Sequence, residues 1–128
     1  MEVTRFHHVS VNTNGVDLDS VVEFYRDVLG LGDAVRPDIP GVPGHWHTVG
    51  DLQLHVVAVE SPSVPSAGID PTGPHFCVAV ADLDAAIDEL RVRGIDHIRA
   101  VQGGDAVQIW LTDPAGNTIE LQQETPRQ

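Results

Sequence analysis

The chain has a single cysteine, Cys77, in 128 residues. No disulfide can close within it, so its stability must come from a packed core, and a reducing compartment, the cytoplasm, is the expected location. Positive charge is also scarce: 7 Lys plus Arg stand against 19 Asp plus Glu, for a net charge of -12. Such a surface repels phosphate backbones and anionic bilayers, which argues against nucleic acid or a membrane as partner. No run approaches the roughly 18 apolar residues of a membrane span. The opening M-E-V-T-R-F-H-H carries no apolar secretory segment. What is present, 41% hydrophobic residues, suffices for the ordinary core of one domain.

The most informative stretch is Val107–Gln122, V-Q-I-W-L-T-D-P-A-G-N-T-I-E-L-Q. Two alternating runs flank Asp113-Pro114-Ala115-Gly116-Asn117, a turn sequence, and together they predict a hairpin. On its second strand Ile119 and Leu121 share one face, leaving Thr118, Glu120 and Gln122 on the other. A carboxylate in mid-strand costs several kcal/mol to bury unpaired, so Glu120 calls for a cation.

Upstream, Phe6–Asn12 alternates, with Phe6, His8, Ser10 and Asn12 on one face. A helix follows, capped by Asp17 or Asp19, with Val21, Val22, Phe24, Tyr25, Val28 and Leu29 at helical spacing up to Gly30. A short strand is expected around Ala34–Arg36. His45–Val49 and Leu52–Val59 form a second hairpin about Gly50-Asp51, with Gln53, His55 and Val57 opposite Leu54 and Val56. Glu60–Pro74, rich in Pro, Ser and Gly, reads as a linker. Then come a strand at His75–Val80, a helix at Ala85–Arg93 capped from Asp82-Leu83-Asp84, a strand at Ile95–Ala100, a turn at Gly103-Gly104 and the closing hairpin.

The order strand, helix, three strands thus occurs twice, over residues of about 4–60 and 74–124 within one domain. The expected fold is α+β, with two tandem βαβββ modules and helices on the outer face. Asp17-Leu18-Asp19 and Asp82-Leu83-Asp84 lie 65 positions apart, as do His55 and Glu120, while His8 and His75 lie 67 apart. Each module therefore carries a ligand-type residue on its first strand, His8 or His75, and another on its last, His55 or Glu120. Three imidazoles and one carboxylate on equivalent strand positions suit a divalent transition metal, and zinc, nickel, cobalt, manganese and iron(II) are all admissible. The plain alternative for a histidine among valines is a hydrogen-bonded core or surface residue. His7, His45, His47 and His97 are assigned to it, with His47 and His97 also able to support a ligand from behind. His55 has a further option as a free general base. Trp110, with Gln108, is expected on the inward face as a pocket wall, beside Ser10 and Gln53; Cys77 reads as a small inward filler.

Taken together, H-H-V-S-V, V-V-E-F-Y-R-D-V-L-G-L, L-Q-L-H-V, G-P-H-F-C-V with D-L-D-A-A-I-D-E-L, and D-P-A-G-N-T-I-E-L resemble the vicinal oxygen chelate superfamily. This is the glyoxalase, bleomycin-resistance and extradiol-dioxygenase group. The resemblance implies a U-shaped mixed sheet around a cavity, commonly in a homodimer, and metal ligands at His8, His55, His75 and Glu120. It also implies a small-molecule substrate with two neighbouring oxygens, held on a Lewis-acidic metal that stabilises an enolate. A glyoxalase-like lyase or isomerase is the first expectation, with Glu120 or His55 as base. Glyoxalase I types carry glutamate where this chain has His55, a departure that leaves the base open. An extradiol ring-cleaving dioxygenase is the second expectation. Its signature has tyrosine at the place of Trp110 and a histidine upstream, where this chain has Gly103, Gly104 and Asp105. A ligand-sequestering protein of bleomycin-resistance type is the third.

Overall fold

The computed structural model describes residues 2, 4–59, 68–71, 74–102 and 106–124. The chain divides into two compact units, Met1–Val64 and Pro65–Gln128. In the first, β1 (His8–Asn12) leads through α1 (Leu18–Glu23) and a π-helical turn (Phe24–Val28) to β2 (Gly32–Asp33), β3 (Gly44–Val49) and β4 (Leu52–Val57). In the second, β5 (His75–Val80) leads through α2 (Leu83–Val92) to β6 (Ile98–Gln102), β7 (Ala106–Thr112) and β8 (Thr118–Gln123). Both are βαβββ units with the same strand order, β1-β4-β3-β2 and β5-β8-β7-β6. In each, the first strand lies parallel to the last and the other pairs are antiparallel. The α+β class and the duplicated module are therefore those expected.

The crossover from first strand to last is possible because a helix covers one sheet face and buries its apolar stripe there. α1 packs on β4 and α2 on β8. The covered face of the first unit is built from Val11, Leu54 and Val56 under Val21, Val22 and Tyr25. That of the second is built from Ile109, Leu111, Ile119 and Leu121, with Leu83, Ile87 and Leu90 of α2 also buried. Asp17 caps α1 by accepting from Ser20 N, and Asp82 caps α2 by accepting from Ala85 N.

Several boundaries differ from expectation, and three of these trace to particular bonds. The first helix is not regular to Gly30: Leu29 N bonds Phe24 O, a five-residue step that widens the last turn while Tyr25 stays fully buried. The strand expected at Ala34–Arg36 is instead Gly32–Asp33, extended by the Ala34 N bond to Trp46 O. The strand expected at Ile95–Ala100 starts at Ile98, because Ile95 N returns to Leu90 O to close α2 and His97 Nδ1 bonds Ile95 O. Residues 60–67 and 72–73 of the expected linker, and the Gly103-Gly104 turn, lie outside the described residues.

The β7–β8 turn is held from within. Asp113 accepts from Ala115 N and Asn117 N through Oδ1 and from Asn117 Nδ2 through Oδ2, and Gly116 takes φ 85°. Asp113→Ala removes these three bonds and is expected to cost about 2–3 kcal/mol in urea unfolding, while Val92→Ala on the exposed face of α2 changes stability by less than about 0.5 kcal/mol. Equal effects of the two would show that the turn is not held by this carboxylate.

Candidate functional site

In the second unit the candidate residues lie on the sheet face turned away from α2. Cross-strand register puts Glu120 opposite both Cys77 and Trp110, and His75 opposite Thr118. Glu120 is only 4% exposed. Its Oε2 accepts from Gln108 Nε2 (3.4 Å), Cys77 Sγ (3.2 Å) and Gln122 Nε2. Its Oε1 lies 3.6 Å from His75 Nε2, and the Trp110 ring meets His75 edge-on at 4.8 Å. One carboxylate oxygen is thus anchored by two amides and a thiol, while the other faces an imidazole.

That arrangement makes Cys77 inert as a nucleophile. Burial of its sulfur, then the hydrogen bond to Glu120 and that group's negative charge, push the thiol up to about 12. Cys77 faces Glu120 on the inward side as expected, but the residue is exposed rather than enclosed as a filler.

The equivalent face of the first unit holds His8, Ser10, Trp46, Gln53 and His55. Register pairs His8 with Gln53, and His55 with both Ser10 and Trp46. The His55 ring is sandwiched, stacked on Trp46 at 3.9 Å and on His8 at 4.1 Å. Its Nε2 bonds Gln53 Oε1 at 2.9 Å. An amide oxygen only accepts, so Nε2 carries the proton and Nδ1 is the basic nitrogen of the neutral ring. Burial, then the neighbouring His8 and His7 and the more distant Arg36, hold the His55 imidazolium below the usual histidine range. His7 Nδ1 lies 3.0 Å from His8 Nδ1, so one of the two must carry a proton.

Within each unit, then, the residues proposed from sequence fall into pairs: His8 with His55, and His75 with Glu120. Of the pocket residues, Gln53 touches His55, Gln108 touches Glu120, Trp110 touches His75, and Ser10 lies on the His8 face. The register also equates Trp46 with Trp110, each opposite the last-strand residue of its unit. Their separation of 64 rather than 65 positions hides this in the sequence. His97 lies on the α2–β6 connection, bonded to its own backbone segment.

The duplicated spacing did not reveal a third cluster. Asp33, His45 and His47 offer ligand-type atoms within 4.8 Å of one another on the helix side of the first sheet. His47 is fully buried and neither ring nitrogen has a partner at hydrogen-bond geometry; the Gly32 backbone and Asp33 Oδ1, 3.8 Å from Nδ1, approach it without satisfying it, a loss of about 1–3 kcal/mol. Its imidazolium is held low by burial and then by His45, against the opposing pull of Asp33 and the Gly32 backbone. Only the cross-strand pairing of β2 and β3 brings Asp33 to these histidines, and β2 is too short to be read from alternation.

Residues 5–121 match the family model described as the Glyoxalase/Bleomycin resistance protein/Dioxygenase superfamily. The chain belongs to that superfamily. It is 29% identical over 126 residues to Glyoxylase I 4 of Arabidopsis thaliana, covering 94% of this chain and 71% of the relative. It is 30% identical to a lactoylglutathione lyase of the same plant, covering 95% of this chain but 45% of that longer protein. Among solved structures it resembles a glyoxalase family protein from Bacillus anthracis, with a TM-score of 0.82, 21% identity and 98% of both chains covered. At that identity the likeness is one of fold. No helix among the described residues is long and apolar enough to cross a membrane.

The depressed imidazoles of His47 and His55 make stability depend on pH. Their ordinary value is 6.5, and each releases its proton more readily when folded. Below about pH 6.5 the unfolded chain therefore binds more protons, and stability falls as pH falls toward the folded values; above it the contribution is fully present. In chelator-treated protein the urea midpoint is expected to drop between about pH 7 and pH 5, and to drop less in His55→Gln. Identical drops in the two proteins would mean that His55 does not contribute.

Proposed function

We propose that this superfamily member is a metal-dependent lyase or isomerase of glyoxalase type, acting on a small substrate with two neighbouring oxygens. The observation that carries the reading is the divided carboxylate of Glu120. Its anchored Oε2 prevents rotation, and its Oε1 is 3.6 Å from His75 Nε2. Two donors on one zinc-like ion lie about 3.4 Å apart, so this pair fits a shared metal with little movement. In the proposal His8, His75 and Glu120 are ligands. His55, committed by its sandwich and by Gln53, serves as base rather than as a fourth ligand.

Zinc, nickel, cobalt, manganese or iron(II) suits such a donor set and, when bound, supplies Lewis acidity to the substrate oxygens. The remaining chemistry belongs to the chain. His55 Nδ1 takes the proton from the carbon beside the carbonyl and returns it to the neighbouring carbon. Gln53 holds the tautomer, and the depressed imidazolium keeps the ring neutral and ready to accept. Within its own unit Trp46 lies flat on the His55 ring and holds it in place. The similarity to a lactoylglutathione lyase of Arabidopsis thaliana supports this reaction class.

The test is metal content and metal-dependent exchange of the substrate proton with deuterium, followed in parallel. Glu120→Gln and His75→Ala are expected to lose the catalytic metal and the exchange together. His55→Ala is expected to retain the metal while exchange falls about 10²–10⁴-fold. A wild-type protein whose binding of zinc, nickel, manganese or iron(II) is unchanged by Glu120→Gln and His75→Ala would instead be a ligand-sequestering member of the superfamily. The expected homodimer enters the same experiment: recovery of exchange on mixing His8→Ala with Glu120→Gln protein would show that the ligand sets come from different chains.

A further inference from the structure

We propose a second, separate metal site for a zinc-like divalent ion at Asp33, His45 and His47, on the edge of the first unit's sheet. Asp33 of β2 is the cross-strand partner of His47, and His45, two residues earlier on β3, points to the same side. Trp46 between them points to the opposite face, where it stacks on His55. The cluster is therefore separated by the thickness of the sheet from Trp46 and His55 of the same unit, and its assignment does not depend on the proposed reaction.

Proximity alone would not make a site, since exposed acids and histidines often lie together. The independent observation is His47. It is fully buried, and neither of its ring nitrogens has a partner at hydrogen-bond geometry. Buried polar groups are almost always satisfied, and an orphan at a cluster of donors points to an absent partner. His47 Nδ1 lies 3.8 Å from Asp33 Oδ1, and His45 Nε2 lies 2.8 Å from the same oxygen. These distances bracket the separation of about 3.4 Å between two donors on one tetrahedral zinc. Two imidazoles and one carboxylate favour zinc, cobalt(II) or nickel over magnesium or calcium, which prefer oxygen. Three protein ligands leave a fourth position for water.

Arg26 is the competitor. Its Nη2 lies 3.1 Å from Asp33 Oδ1, in an ion pair whose side chains are 43% and 54% exposed. Such solvated pairs bind weakly, so Arg26 can give up that oxygen to an ion. Bound metal would tie the two-residue strand β2 to β3 and leave Arg26, from the π-helical turn, to solvent. The site would thus act on the stability of the edge strand rather than on the reaction.

The experiment uses full-length protein carrying His8→Ala and Glu120→Gln, stripped with chelator and titrated with zinc and, for its spectrum, cobalt(II). One ion per chain is expected to bind and to shift the imidazole nitrogen resonances of His45 and His47. Adding Asp33→Asn with His45→Gln, both at partly exposed positions that leave the core closed, should weaken binding more than about tenfold. Adding Arg26→Ala should tighten it. The proposal is overturned if this background binds no ion, if Asp33→Asn with His45→Gln binds as tightly as the background, or if the shifted resonances belong to other histidines. Loss of the ion proposed at His8, His75 and Glu120 is built into the background, so failure of that reading leaves this test unaffected.

Discussion

Burial of the Glu120 carboxylate is the constraint on which the second unit depends. A charge in mid-strand is tolerated only with donors on its own face, and the β5–β8–β7 register supplies them. Cys77 and Trp110 stand directly opposite; Gln108 and Gln122 reach in from neighbouring positions of the same face. A slip of one residue would exchange Glu120 with Ile119 or Leu121 and put the charge beneath α2. The turn that Asp113 closes from within sets that register, so a structural carboxylate fixes the place of a chemical one.

The two units solve the same problem with different groups. Each sets a tryptophan opposite the central residue of its last strand, and each holds that residue with glutamine amides. In the first unit the central residue is His55, flat between two rings and oriented by one amide oxygen. In the second it is Glu120, oriented by two amide donors and a thiol. The shared strand order makes these positions equivalent, while their side chains supply an imidazole in one case and a carboxylate in the other.

The opposite, helix-covered faces are ordinary cores with one exception. His47 occupies a place in the first unit where an aliphatic residue would pack against Tyr25 without cost. A fully buried imidazole with no hydrogen bond is a destabilising choice for a core, and its neighbours Asp33 and His45 are both polar. The same strand thus presents Trp46 to one face of the sheet and His45 with His47 to the other, because side chains alternate along it.

The alternation of apolar residues, the two Asp-Leu-Asp caps and the 65-residue repeat were enough to determine the α+β class and the doubled βαβββ order. They also placed Glu120, His8, His55 and His75 on the polar faces, because such patterns are local or repeat in register. Boundaries set by a single long-range bond were not legible: the π-helical turn, the strand at Gly32–Asp33 and the late start at Ile98 each depend on a partner distant from any sequence period. Nor was the equivalence of Trp46 and Trp110, offset by one position, or the joining of Asp33 to His45 and His47. Those were decided by strand pairing, since sequence periodicity tells which face a side chain takes and only tertiary register tells which side chains meet on it.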